Sequence, residues 1–151
     1  MSWKLVSNIA IGGLLNIGFV PDSKFLVVVS GNGRGIFDCS NGEKLARDYE
    51  EVWNGFDDET GIVKGFDFLT GQEIRTSGLF CGDKLPKETE DGWVLKLKYL
   101  EIVLFSKTNS QKDVVGNCIV CELRAFGFSD DHNYFVVATS CDLAIYKRKD
   151  D

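Results

Sequence analysis

The chain holds one histidine, one methionine and two prolines among its 151 residues, and each scarcity removes a class of explanation. With a single imidazole, His132, no histidine pair can complete a metal site, and a Ser-His-Asp assembly would have to be built on that one residue. His132 is flanked by Asp131 and Asn133, so it reads as a solvated loop residue, not a catalyst. Long apolar runs are also missing. The stretch from Ile9 to Ile17 is broken by Gly12, Gly13 and Asn16 and is too short to span a bilayer. Met1-Ser2-Trp3-Lys4-Leu5 lacks the charged start, apolar core and small-residue cleavage site of a secretory signal, so a soluble, cytoplasmic protein is expected, with no membrane contact. Positive charge is short as well: 17 Lys and Arg face 23 Asp and Glu, a formal net charge of −6. That balance argues against gripping nucleic acid through its phosphates, which needs a basic face, and suits a basic protein partner.

Cysteine is present but forms no pattern. Cys39, Cys81, Cys118, Cys121 and Cys141 are odd in number and irregular in spacing, so reduced thiols are the expectation. Cys118-Ile119-Val120-Cys121 is formally a CxxC. No second pair accompanies it, and the apolar Ile119 and Val120 read as strand, so no metal or cofactor is expected.

What the chain has in quantity is apolar and aromatic residues, including eleven Phe, cut at short intervals by turn-forming dipeptides such as Asn-Gly, Thr-Gly and Pro-Asp. The expected strands are Leu14 to Phe19, Phe25 to Ser30, Arg34 to Cys39, Ile62 to Phe68, Trp93 to Leu97, Glu101 to Ser106, Asn117 to Phe128, Tyr134 to Thr139 and Leu143 to Lys147. Glu43 to Trp53, with Leu45, Tyr49 and Val52 on one side, is expected to form a short helix. Pro21 and Pro86 fall in turns, where a missing N–H breaks no ladder. The fold class is therefore all-β: a single compact domain over residues 1–151 of antiparallel strands and hairpins, propeller-like or sandwich-like, with at most a short helix.

Two segments, Gly18 to Phe37 and Gly127 to Tyr146, align without a gap: Gly-Phe, a polar turn, an apolar run, a second turn and an aromatic exit. A second echo relates Phe37-Asp38-Cys39-Ser40-Asn41-Gly42-Glu43-Lys44-Leu45 to Phe66-Asp67-Phe68-Leu69-Thr70-Gly71-Gln72-Glu73-Ile74. Such self-similarity marks repeated β units. With the turn Pro21-Asp22-Ser23-Lys24-Phe25, the pattern resembles blades of the WD40 family of β-propellers. Here Phe37-Asp38 and Phe66-Asp67 stand where that family has Trp-Asp, no Gly-His pair opens a blade, and the chain is short for the four or more blades of about 40–45 residues that a ring needs. The resemblance implies a scaffold-type fold and no particular chemistry. If the two long echoes are equivalent, the terminal units are expected to lie side by side and protect sheet edges.

The strongest functional candidate is the stretch Asp48, Tyr49, Glu50, Glu51, Val52, Trp53, Asn54, Gly55, Phe56, Asp57, Asp58, Glu59, which carries six acids, no base and three large aromatics. Acids steer and pair with Lys and Arg on a partner, while Tyr49, Trp53 and Phe56 would be the desolvated anchors. Glu88 to Trp93 is a lesser patch in which Trp93 reads as core. Gly31-Asn32-Gly33-Arg34-Gly35 reads as a hairpin turn, not a phosphate cradle, because no strand-to-helix step follows it. The basic Lys147-Arg148-Lys149 reads as a frayed, solvated end. Small size, acidity and sparse catalytic residues resemble, as a class, small acidic immunity proteins and antitoxins. The expectation is a non-catalytic binder of a basic, nuclease-like toxin. A propeller-like adaptor is the alternative and a hydrolase the third.

Overall fold

The computed structural model describes residues 2–49 and 54–149. Fourteen strands follow in order: β1 Trp3–Ala10, β2 Leu14–Phe19, β3 Phe25–Ser30, β4 Gly33–Asp38, β5 Lys44–Asp48, β6 Ile62–Lys64, β7 Glu73–Arg75, β8 Ser77–Gly78, β9 Trp93–Lys98, β10 Glu101–Ser106, β11 Lys112–Asn117, β12 Leu123–Phe128, β13 Tyr134–Thr139 and β14 Asp142–Arg148. No α-helix occurs among the described residues, and Asp67–Leu69 is a single 3-10 turn. The protein is all-β and antiparallel throughout. Its sheets have the strand orders β1-β14-β13-β12, β5-β4-β3-β2-β8, β11-β10-β9 and β6-β7.

The sheets stack face to face, which explains why the central strands are continuous apolar runs and not alternating ones. Along β13, Tyr134, Val136 and Ala138 point to one core while Phe135 and Val137 point to another; along β3, Leu26 and Val28 separate in the same way from Val27 and Val29. Successive side chains of a strand face opposite sides, so a strand between two layers must be apolar at every position. The first core lies between the β12–β14 and β2–β4 layers. The second joins the β12–β14 layer to β9–β11 around Trp3, whose ring centroid lies 5.1 Å from Phe135 and 6.2 Å from Trp93. The third holds Val63, Phe66 and Ile74 of the β6-β7 region against the outer face of β2–β4.

The long sequence echo is a structural repeat, strand for strand. In the gapless alignment β2 falls on β12 and β3 on β13, and even the register shift between Leu14 and Asn16 recurs between Leu123 and Ala125. The glycine that opens each echo has a steric cause. A chain segment crosses the edge of β2 and of β12, so a Cβ on Gly18 would lie 2.2 Å from the Arg75 carbonyl oxygen and one on Gly127 would lie 2.4 Å from Leu85 Cβ. The two units pack face to face, and the edge is met by the first strand instead: β1 pairs with β14 from Trp3↔Arg148 to Ala10↔Asp142.

Several expectations are corrected. Glu43 to Trp53 does not begin as a helix, because Lys44–Asp48 pairs as β5 along the open edge of β4; the helical spacing of Leu45 and Tyr49 points both side chains towards water. Residues 50–53 lie outside the described residues. The single strand expected over Asn117 to Phe128 is two, parted at 118–122, where Asn117 Oδ1 accepts the Ile119 N–H and the chain bends. Cys121 lies in that break and forms a disulfide with Cys141, so the thiols are not all reduced; Cys39, Cys81 and Cys118 are free. The basic end is not frayed: Lys147 and Arg148 belong to β14, and the Lys149 N–H continues the ladder to the Ser2 carbonyl.

Candidate functional site

Both described ends of the acidic stretch converge on one buried guanidinium. Arg34, on β4, forms an ion pair with Asp48 across the β4-β5 ladder, and its Nη1 donates to the carbonyls of Lys64 at 2.8 Å and Gly55 at 3.3 Å. The guanidinium carbon sits 4.5 Å from the centroid of Phe66. Gly55 has no side chain for a plain reason: a Cβ there would lie 2.0 Å from Arg34 Nη1. Asp48 is thus engaged within the fold. Phe56, expected as an exposed anchor, is a core residue, 4% exposed, with its ring edge-on to Phe80 at 5.9 Å. Tyr49 remains outside, 78% exposed, with the Arg47 guanidinium over its ring at 4.6 Å. Glu50, Glu51 and Trp53 lie outside the described residues.

Beyond Phe56 the chain makes a tight, externally presented acidic turn. Asp57 Oδ1 accepts the Glu59 N–H at 2.9 Å, the Gly61 N–H reaches the Asp57 carbonyl at 2.8 Å, and the Asp57 N–H reaches Ile62. Gly61 supplies the positive φ of 76° that closes the turn, a conformation disfavoured for residues bearing a Cβ. Cys81 Sγ contacts the carbonyls of Asp58 and Glu59 from behind. Asp57 therefore shapes the turn, while the exposed carboxylates of Asp58 and Glu59 make no ion pair or side-chain hydrogen bond among the described residues. The turn borders an open groove of about 620 Å³ that also touches Asn54, Lys64 and Glu73.

The other candidates resolve into structure. Ser129 Oγ donates to Asp131 Oδ1 at 2.6 Å, with no imidazole between them, and His132 Nδ1 faces the Glu90 N–H at 3.5 Å. Burial raises the Asp131 carboxyl pKa, but the Ser129 hydroxyl and the Asn133 N–H outweigh it and hold the group below its ordinary value. In the lesser acidic patch, Trp93 is core, and Arg148 grips Asp91 through two bonds of 2.7 and 3.2 Å. The hydrogen bonds from Arg148, then from Thr89, pull the Asp91 carboxyl down to about 2. Gly31 and Asn32 form the β3-β4 hairpin turn, and Gly33, at φ 129°, to Gly35 open β4. No cluster of three metal-ligating side chains occurs among the described residues.

Two features escape a reading of the sequence. In the sequence Arg34 is one arginine in a Gly-rich run at the start of β4, and only its flanking Gly33 and Gly35 hint at a crowded site. The other is an exposed apolar pair of turns: Tyr99 is 97% and Val120 91% exposed, with Leu100 and Ile119 beside them, and the Cys118 N–H ties one turn to the other through the Leu100 carbonyl. No family model, curated protein or solved structure matches the chain.

Proposed function

We propose that the protein is a non-catalytic binder of a basic protein partner, of the immunity-protein or antitoxin kind, which docks on the acidic turn and covers the phosphate-gripping face of a nuclease-like toxin. One observation carries the reading: Asp58 and Glu59 present carboxylates that no described residue pairs with, from a turn held by backbone bonds and backed by Cys81. Ordinary surface acids sit on mobile side chains and loops. Preorganised ones lose less freedom on binding, and a cluster of like charge speeds encounter with an opposite face by roughly 10–10³ at low salt. A toxin that holds nucleic acid must be basic where it meets phosphate, and an acidic turn complements that face. Cytosolic placement belongs to the same proposal. Three free thiols fit it, whereas the Cys121–Cys141 disulfide argues against a strongly reducing compartment.

The test is charge reversal at Asp58→Lys and Glu59→Lys, leaving Asp57 to shape the turn. Association with a purified cognate toxin is expected to slow at least tenfold while thermal stability is unchanged; unchanged association would overturn the reading.

A second reading, a propeller-like adaptor in a multi-protein assembly, rests on the stacked four-sheet arrangement with β1 completing the last sheet, and on the exposed Tyr99, Leu100, Ile119 and Val120. Contiguous exposed apolar residues at two joined turns mark a contact surface. Light scattering separates the readings: association abolished by Val120→Glu supports the adaptor, and a monomer at all concentrations opposes it.

A further inference from the structure

Positive charge, scarce in the whole chain, is concentrated at the rim of the seam between the β1-β14 edge and the β4-β5 turn. Lys4 and Lys147 are direct cross-strand partners, and Lys149, bonded through its N–H to the Ser2 carbonyl, projects to the same side two residues on. Directly opposed side chains have Cβ atoms roughly 4.5–5.5 Å apart, and like charges there repel. A protein with a surplus of carboxylates has many ways to neutralise such a pair, yet among the described residues none of the three ammonium groups makes an ion pair or a side-chain hydrogen bond. Arg148, on the opposite face of β14, is consumed by Asp91 and by stacking on Trp3.

These lysines line a groove of about 550 Å³ together with Val6, Arg148, Ser40 and Asn41. That size falls within the roughly 300–1,000 Å³ of small-ligand sites. The Ser40-Asn41 wall is held close by Gly42, where a Cβ would lie 2.6 Å from Ser7 Cβ. Of the two acids flanking that wall, Asp38 accepts from the Ser40 hydroxyl and N–H and is neutralised by Lys24 at 3.1 Å, and Glu43, whose N–H donates to Asn41 Oδ1, forms no ion pair with these lysines.

We propose that this groove binds a small, multiply charged phosphate compound, a diphosphate or phosphomonoester, between Lys4, Lys147 and Lys149. Lysine binds phosphate as a compact point charge with rotatable donors, and three such charges around one groove suit a multiply charged anion better than a single carboxylate. The Asn41 side-chain amide offers a neutral donor in the same groove. The site is separate from the acidic turn and does not depend on the toxin-binding reading.

The test is calorimetric titration of the full chain with pyrophosphate at ionic strength held constant with sodium chloride. The wild type is expected to bind one equivalent. Lys4→Gln and Lys147→Gln are expected to weaken binding at least tenfold, and Lys96→Gln, exposed on β9, to leave it unchanged. The ligand-free melting temperature of Lys147→Gln is expected to match or exceed that of wild type, since a repulsion is removed. Should a variant fail to fold, pyrophosphate-induced shifts of the wild-type amides at residues 4, 147 and 149 give the same answer. Heat equal to the chloride control, or groove variants within twofold of wild type, would overturn the site. Binding of a labelled single-stranded oligonucleotide without pyrophosphate binding would overturn the small-anion assignment.

Discussion

Replacing Arg34 with Met keeps an aliphatic stem over Phe66 but removes the charge that closes the acidic stretch onto the fold. Arg34 is 7% and Asp48 16% exposed, so the carboxylate left behind has little water to replace its partner. The Lys64 and Gly55 carbonyls lose a donor at the same time. Removing one member of a buried, hydrogen-bonded ion pair costs about 3–5 kcal/mol. Domains are stable by about 5–15 kcal/mol, so this is at least about a fifth of the whole. At about 2–4 °C per kcal/mol for this chain length, the melting temperature should fall by roughly 6–20 °C. Urea unfolding followed by tryptophan fluorescence, with calorimetry as a second probe, measures it. The double variant Arg34→Met/Asp48→Leu should recover part of the loss, because no charge is left buried. A loss below about 1 kcal/mol, or a double variant no better than the single one, would refute the role assigned to Arg34.

Three other outcomes follow from the structure. Gly18→Ala and Gly127→Ala should each destabilise by about 1–3 kcal/mol in urea unfolding, since the new Cβ meets Arg75 and Leu85 in turn; near-neutral variants would mean that these crossing segments yield. The Asp91 carboxyl, held at about 2 against an ordinary 3.8, contributes stability that is present above about pH 4 and lost as pH falls through about 2; NMR titration should find the low midpoint, and Arg148→Gln should raise it. Burial, helped by the charges of Asp38 and Asp131, pushes the Cys39 thiol up to about 12, so alkylation of the native protein should mark Cys81 and Cys118, spare Cys39 and leave Cys121 and Cys141 linked in a peptide map.

Strands buried on both faces are plainly legible in the sequence. β3 and β13 lie between two layers, so almost every residue reports burial, and their bounds agree with expectation to the residue. β1 and β5 are edge strands, with half or more of their positions open to water, so neither shows a clean period; β5 even mimics a helix through Leu45 and Tyr49. The Cys121–Cys141 bond was illegible because it joins the loop before β12 to the turn before β14, a proximity that only strand pairing creates. In the candidate site, acidity was legible and orientation was not. Asp48 and Phe56 carry the same residue types as a docking surface, but the partners that claim them, Arg34 and Phe80, are remote in sequence.

The acidic turn as a docking surface for a basic partner is tested most directly by capture from the native cells, comparing wild type with Asp58→Lys/Glu59→Lys across rising salt. Surface charge pairs weaken as the screening length falls below about 8 Å, so the complex should release with salt. The account predicts one small basic protein, bound one-to-one by the wild type and absent from the charge-reversed variant. The same partner retained equally by both proteins, or no basic partner at any salt, would contradict it.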